Sequence, residues 1–217
     1  IKNLAYCVID DEKNTIEDWG ILNISVDPVC EHVMKGLTQC DKSAKVVINQ
    51  TKLCSAHQKL KCHRDKSSKK IPKTKNIIFE MGKRIVQCLD EKPNFMETNL
   101  VLIENQPALK NPTMKSVQMM VYTYFLVKGV SSDDSPMDTI EMINARNKLK
   151  AYQGPPIPCD IKDRYKRTKF LGIQYCSSMI QENEFIEDKY KTLFTSSKKK
   201  DDLADAYLQG MYWIQKD

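Results

Sequence analysis

The 217-residue sequence has no apolar run that approaches the roughly 18 residues of a membrane-spanning helix. Its first residues also lack the apolar stretch of a secretory signal peptide, and the chain contains no internal repeat. A secreted domain held by disulfides would be shorter and would spread its cysteines along the chain, whereas four of the eight cysteines here fall within residues 30–62. These absences predict an intracellular protein in a reducing compartment.

The overall composition is that of a globular protein with a basic balance. Hydrophobic residues make up 41% of the chain, which is enough to bury a substantial core in one domain with a small insertion. The formal net charge is +6, with 34 Lys and Arg residues. Such a charge fits a polyanionic partner, but many proteins without one have a similar charge, so composition alone leaves nucleic-acid binding open.

Hydrophobic periodicity predicts a layered α/β or α+β domain. Two β-prone runs joined by a short polar turn, residues 4–9 and 15–26, indicate an antiparallel hairpin. Helices are predicted over residues 76–91, 112–130, 162–181 and 199–215, and further strands over 99–104 and 140–145. Asn111 and Pro112 are typical of a helix start, and the Met and aromatic residues of the helix over 112–130 are expected in the core.

Residues 28–74 differ from the rest of the chain. They are rich in Lys, Cys and His, contain few large apolar residues, and end in a basic run over 59–75. We predict an inserted module or long loop inside a single domain over 1–217, too polar to build a core of its own.

Two aspartates near the C-terminal end are the sharpest candidates for chemistry. Asp202 and Asp205 are three residues apart, so on a helix they project from nearly the same face. Adjacent carboxylates repel each other unless a cation lies between them. The alternative is an acidic first turn that complements the helix dipole, a role that also fits Asp201. Apolar neighbours such as Leu203, Ala204 and Tyr207 make that alternative less ordinary.

Glu104 is the third candidate, because it ends the most hydrophobic predicted strand. Carboxylates at the carboxyl ends of central strands lie where α/β sheets bind ligands, although a strand-end acid can also be purely structural. Together Glu104, Asp202 and Asp205 form an oxygen-only ligand set suited to Mg²⁺ or Mn²⁺. Two such ions promote in-line phosphodiester hydrolysis without a covalent intermediate. All three histidines lie in the insertion, away from these acids.

Three short segments resemble the RuvC-like Holliday junction resolvases, particularly those of poxviruses and other large DNA viruses. They are Ile1-Lys2-Asn3-Leu4-Ala5-Tyr6-Cys7, Leu102-Ile103-Glu104-Asn105-Gln106-Pro107 and Lys200-Asp201-Asp202-Leu203-Ala204-Asp205-Ala206. The resemblance covers most of the chain outside residues 28–74, and the order and separation of the segments make it fairly specific.

The resemblance implies an RNase H-like mixed sheet flanked by helices and a magnesium-dependent homodimeric endodeoxyribonuclease that nicks four-way DNA in recombination and repair. Glu104 then corresponds to the second acid of the family, and Asp202 and Asp205 to its closing pair. The first acid of the family would lie just before Ile1, so the metal site is expected to be incomplete in this chain, and Asp10 and Asp11 are not expected to replace it. A viral resolvase would act in the host-cell cytoplasm or at a viral replication site.

The insertion carries a candidate zinc site. Cys30, Cys40, Cys54 and His57 have the right types and number for a closed tetrahedral site, with a tight two-residue gap between the last two. His32, Cys62 and His63 are possible substitutes, and a flexible loop with free thiols is the plain alternative. Poxvirus-type resolvases lack such an insertion, which points to a different viral branch. Zinc would be structural, because protein ligands would fill all four positions and leave no open site for catalysis.

Basic segments over 59–75, 146–150 and 162–169 are available for DNA phosphates, although each also fits a solvated surface. A different RuvC-like nuclease, such as those of transposons, is the nearest alternative enzyme, but its zinc module lies late in the chain. A non-enzymatic zinc-containing DNA-binding or transcription protein would explain the charge and the Cys/His cluster. It would leave Glu104, Asp202 and Asp205 without a role.

Overall fold

The computed structural model describes residues 2–64, 67–72, 74, 76–109 and 111–216, and for Arg64 the backbone alone. The strands are β1 (Asn3–Asp10), β2 (Thr15–Asn23), β3 (Val46–Ile48), β4 (Thr51–Leu53), β5 (Ser68–Lys70), β6 (Leu100–Glu104) and β7 (Thr139–Ile143). The α-helices are α1 (Lys61–Arg64), α2 (Ile77–Asp90), α3 (Pro112–Phe125), α4 (Arg164–Glu182), α5 (Asp188–Ser196) and α6 (Lys200–Ile214). Short 3-10 helices cover His57–Lys59, Pro93–Glu97 and Ala145–Ala151, and a π-helical turn, Leu126–Val130, continues α3.

The chain divides into two compact units. The first, called the main unit, consists of Ile1–Ile24 and Gly82–Asp217. The second, called the basic module, is Ser25–Met81.

The main unit is a mixed α/β structure. Strands β1 and β2 form the predicted antiparallel hairpin, and β6 and β7 pair in parallel with Glu104 opposite Ile143. Among the described residues these ladders are separate, which differs from the single mixed sheet expected from the resemblance. A register shift between Val8 and Ile9 interrupts the hairpin, and bulges of this kind bend and twist a strand.

The core of the main unit lies between the hairpin and the C-terminal helices. Trp19 of β2 stacks on Phe194 of α5 with ring centroids 5.4 Å apart, and its indole nitrogen donates to the Leu203 carbonyl at 3.2 Å. Gly210 allows α6 to approach β1, because a Cβ there would lie 2.8 Å from Ile9 Cδ1. This packing fixes α6, which carries Asp202 and Asp205, against the hairpin.

Helix α3 begins as predicted, with the Asn111 side chain accepting a hydrogen bond from the Met114 backbone at 3.2 Å. The expectation that its Met and aromatic residues are all core is wrong in part. Tyr124 and Phe125 are buried, but the Met119 side chain is 41% exposed. The Met and aromatic residues of α3 cover more of the helix surface than the face that packs on the core, so some of them are exposed to solvent.

The basic module contains a three-stranded antiparallel sheet in the order β4-β3-β5. Asn49 and Gln50 join β3 to β4 with φ angles of 48° and 66°, and positive φ at both central residues is the geometry of a tight hairpin turn. The expectation that this segment builds no core is wrong. A small core of six residues is buried here, and half of its members are cysteines: Val46, Ile48, Leu53, Cys30, Cys40 and Cys54.

The cysteines of the chain are all free thiols in contrasting surroundings. Cys88 and Cys176 are buried in the main unit, while Cys62 in the basic module is exposed. None of the described helices is long and apolar enough to cross a membrane.

Candidate active site and metal centre

Glu104, at the end of β6, is held on both sides by amides. Its Oε1 accepts a hydrogen bond from Gln106 Nε2 at 2.9 Å, and its Oε2 accepts one from Gln209 Nε2 at 3.0 Å. Gln209 lies on α6, one helical turn after Asp205, and is 7% exposed. The strand end carrying Glu104 and the helix carrying Asp205 therefore meet.

Asp205 is partly buried and has one close cationic partner. Lys148 Nζ, from the 3-10 helix Ala145–Ala151, lies 2.6 Å from Asp205 Oδ1, and the Lys148 side chain is 11% exposed. Burial raises the pKa of Asp205, the Lys148 charge opposes that rise, and the charge of Glu104 adds to it. Glu104 and Asp205 are thus near enough for their charges to interact.

Asp202 lies one turn earlier on α6, beside the start of β1. Asn3 Nδ2 donates to Asp202 Oδ2 at 3.3 Å, and Lys199 Nζ lies 3.7 Å from the same oxygen. The neighbouring Asp201 instead forms an ion pair with Lys169 of α4, with Nζ and Oδ2 2.5 Å apart. Its charge is therefore matched by a lysine and not by the helix dipole alone. The start of β1 and the first turns of α6 are therefore adjacent.

Glu104 lies near Asp205, and Asp202 lies one turn before Asp205 on α6, but the three carboxylates do not form a tight cluster. Among the described residues, the group of three or more metal-ligating side chains with ligand atoms all within 4.8 Å of one another is the Cys/His set and does not include these acids. The assignment of Glu104, Asp202 and Asp205 as metal ligands stays a prediction.

Two side chains of this region, Lys148 and Gln209, were not predicted as site residues from the sequence. Lys148 belongs to the basic segment over 146–150, and Gln209 to the helix predicted over 199–215. A polar residue one turn from Asp205 on the same helix is the signal that would have indicated Gln209. Lys148 has no such local signal, because its partner is 57 positions away in the printed sequence.

The second site brings together all four residues predicted as zinc ligands. The ligand atoms of Cys30, Cys40, Cys54 and His57 lie within 4.8 Å of one another, and the three thiols are buried. His57 Nδ1 is 3.4 Å from Cys30 Sγ and 3.5 Å from Cys54 Sγ. A three-thiol, one-imidazole set fits a tetrahedral metal ion such as Zn²⁺.

The electrostatics of this cluster are compatible with metal binding. Burial opposes ionisation of the Cys54 thiol, but backbone N–H groups of His57 and Ala56 bring its pKa below the usual value. Burial lowers the pKa of His57, which favours the neutral imidazole that a metal requires. Of the possible substitutes, His32 contacts His57 with ring centroids 4.0 Å apart and ring planes tilted by 34°, but it lies outside the group of four, as do Cys62 and His63.

The three predicted basic segments have different surroundings. The segment over 59–75 includes positions 65, 66, 73 and 75, which lie outside the described residues. The segment over 146–150 forms most of a 3-10 helix and turns Lys148 inward to Asp205. The segment over 162–169 includes the start of α4, and its Lys169 forms an ion pair with Asp201. Ile1, the first residue of the opening motif, also lies outside the described residues.

Comparison with known proteins gives one relative and one structural neighbour. An uncharacterised protein of Acanthamoeba polyphaga mimivirus is 40% identical over 122 residues, which cover 53% of this chain and 28% of that protein. The chain thus matches less than a third of the relative's length. No family model matches the sequence.

The structural neighbour is the crystal structure of the yeast mitochondrial Holliday junction resolvase Ydc2. It matches 99% of this chain and 75% of the yeast chain with a TM-score of 0.53 at 14% identity. The chain therefore has a resolvase-like fold, as the sequence resemblance implied.

Proposed function

We propose that this protein is a divalent-metal-dependent endonuclease that resolves four-way DNA junctions, with Glu104, Asp202 and Asp205 as metal ligands. The observation that carries the proposal is the contact between the end of β6 and α6. There Gln209 donates a hydrogen bond to Glu104, and burial and the charge of Glu104 both raise the pKa of Asp205. The resolvase-like fold supports an RNase H-like, RuvC-like architecture. The mimivirus relative fits a viral protein, and a role in DNA recombination and repair is supported by the resolvase-like fold.

The carboxylate oxygens fit Mg²⁺ or Mn²⁺, which prefer hard ligands. Such ions supply activation of the attacking water and stabilisation of the leaving oxygen of a phosphodiester. Gln106 and Gln209 orient the two oxygens of Glu104. Lys148 offsets the charge of Asp205, which limits the repulsion between neighbouring acids.

We also propose that Cys30, Cys40, Cys54 and His57 bind Zn²⁺ with a structural role. Four protein ligands fill a tetrahedral shell and leave no open position for a substrate or water. The zinc ion therefore stabilises the basic module and takes no part in the cleavage reaction.

The main proposal is tested by incubation with a synthetic four-way junction, using the protein extended at its N-terminus to supply the first acid that the resemblance places before Ile1. With Mg²⁺ we expect paired nicks in two opposing strands near the branch point, and no cutting of a linear duplex of the same sequence. Without a divalent ion the junction should be bound but stay intact. Binding with no cutting under any divalent ion would contradict the proposal and favour a non-enzymatic DNA-binding protein.

Two symmetric nicks require two equivalent active sites, and each chain supplies one set of carboxylates. We therefore propose a homodimer. A groove of about 810 Å³ between α2 and α3 is a suitable contact surface, because its lining includes Val86, Met119 and Val127 with 42%, 41% and 60% of their surfaces exposed. Contiguous exposed apolar surface of this kind is typical of protein contact sites.

A charge in this groove should separate the two copies. For Val127→Glu we expect a halved mass in solution by light scattering and single nicks in place of paired ones, since a buried unpaired carboxylate is costly at an interface. Phe185→Glu is the matched control, because Phe185 is 69% exposed and does not line the groove. Equal dissociation of both variants would argue against this surface.

A further inference from the structure

Positive charge is distributed unevenly between the two units. The stretch 25–81 contains 12 of the 34 Lys and Arg residues but only five of the 28 Asp and Glu residues, a formal charge of +7. The remaining 160 residues therefore carry −1, given the total of +6. The whole net positive charge of the chain resides in the basic module.

Part of this charge lies on one face of the three-stranded sheet. Val46 and Ile48 of β3 point into the small core, so Val47 points to the opposite, outer face. Lys52 of β4 and Lys69 of β5 are both paired directly with Val47, and directly paired residues share a face. Two lysines thus flank Val47 on the outer face, with backbones about 10 Å apart.

A third lysine continues the same face. Lys45 precedes β3 and keeps its ladder, since its N–H donates to Leu53 O at 2.8 Å and its carbonyl accepts from Ile71 N at 3.0 Å. The strand alternation puts Lys45 on the side of Val47. Lys45, Lys52 and Lys69 are all exposed.

The carboxylate near this face engages one of the three lysines. Glu31 lies 3.3 Å from Lys52 Nζ and also accepts from the Lys52 backbone at 2.8 Å. Within the described part of the chain, neither Lys45 nor Lys69 forms an ion pair. Two exposed ammonium groups are therefore available for an external anion.

The sheet that carries this face packs on the thiols of the proposed metal site. The core beneath the sheet consists of Val46, Ile48 and Leu53 with the three thiols of the cluster. Leu53 is followed directly by the proposed ligand Cys54, so a metal ion bound there would fix the end of β4. Units of this size with so small an apolar core usually need a bound metal ion or another cross-link to stay folded.

We propose that the outer face of the β4-β3-β5 sheet, presented by Lys45, Lys52 and Lys69, binds the phosphodiester backbone of DNA and is kept in shape by the metal ion at Cys30, Cys40, Cys54 and His57. The identity of the anion as DNA rests on the proposed function. Lysine contacts to phosphate are independent of sequence and branching, so this face contributes affinity for any duplex arm. Selection for the branch point comes from elsewhere.

Salt dependence of DNA binding tests this assignment in the full-length protein. Each phosphate neutralised by a lysine contributes about 0.9 to the slope of log K against log salt. For the double variant Lys45→Gln with Lys69→Gln, we expect that slope to fall by about 2 for both a linear duplex and a four-way junction. Binding is measured by fluorescence anisotropy without Mg²⁺, over a range of KCl concentrations.

The matched control removes two lysines outside the basic module, Lys13 and Lys189, which pair with Asp10 and Glu187. Replacing both with Gln changes the net charge equally and should leave the slope unaltered. An unaltered slope in the Lys45 and Lys69 variant, or an equal fall in the control, overturns the inference. Zinc content equal to wild type verifies that the variant module is folded.

These outcomes are separable from failure of the proposed function. A protein that binds with the expected lysine dependence but never cuts a junction retains the DNA-binding face and loses the nuclease assignment. A protein that cuts junctions while the Lys45 and Lys69 variant binds with an unaltered slope retains the nuclease and loses this face.

Discussion

Asp205→Asn should abolish junction cleavage while leaving junction binding intact. The substitution keeps the shape of the side chain but removes the negative charge that a divalent cation requires. Changing residues that merely support metal ligands costs 10- to 100-fold, so we expect the loss of a ligand to lower the cleavage rate by more than about 100-fold. Single-turnover cleavage of a labelled junction with Mg²⁺ measures the rate, and a gel-shift assay measures binding.

Asp201→Asn is the control for this experiment. Asp201 lies about one turn before Asp205 on the same helix, but its partner is Lys169, and ion pairs near the surface contribute only about 0–1 kcal/mol. Cleavage by this variant should stay within a few-fold of wild type, a difference that corresponds to about 1 kcal/mol. Similar losses in both variants would mean that the charge of the helix start matters and that Asp205 has no specific role.

Cys54→Ser should release the zinc ion and unfold the basic module. Structural zinc contributes about 10–16 kcal/mol to the folding of small metal-bound peptides, far more than the short apolar core of this module can replace. We expect the zinc content to fall from one equivalent to none and proteolysis to begin within Ser25–Met81. The main unit has its own core around Trp19 and Tyr207 and should stay protected.

The comparison for this variant is Cys62→Ser. Cys62 belongs to the same module but is exposed and lies outside the group of four ligands. The variant should keep its zinc and its resistance to protease. Loss of zinc from both variants would mean that Cys62 replaces one of the four assigned ligands. Retention of zinc by Cys54→Ser would contradict the assigned ligand set.

Local patterns in the sequence were sufficient for most elements of the main unit. The β1–β2 hairpin and helices α2, α3, α4 and α6 follow from periodic apolar residues that bury one face, and they were predicted within a few residues. Helix α5 was missed, although Ile186, Tyr190 and Phe194 are buried at intervals of four. Buried apolar residues at intervals of four are a helical signal in the sequence.

The strands of the basic module had no comparable signal. Strands of three residues are too short for an alternation to be recognised, and here a tight turn at Asn49 and Gln50 and the thiol-rich core hold them. The four candidate zinc ligands could be predicted because chemistry selects the residue types regardless of the backbone between them. The contacts of Lys148 and Gln209 could not, because they depend on how distant segments pack.

The contrasting surroundings of the cysteines give this protein an internal set of probes. The thiolate is the reactive species, so an alkylating reagent attacks an accessible thiol and is blocked by burial or by a bound metal. Cys62 is accessible in the folded protein, whereas Cys88 and Cys176 are enclosed in the main unit. Cys30, Cys40 and Cys54 are buried in the basic module, so the order in which they and the two main-unit thiols react separates opening of the basic module from global unfolding, with no label introduced by mutation.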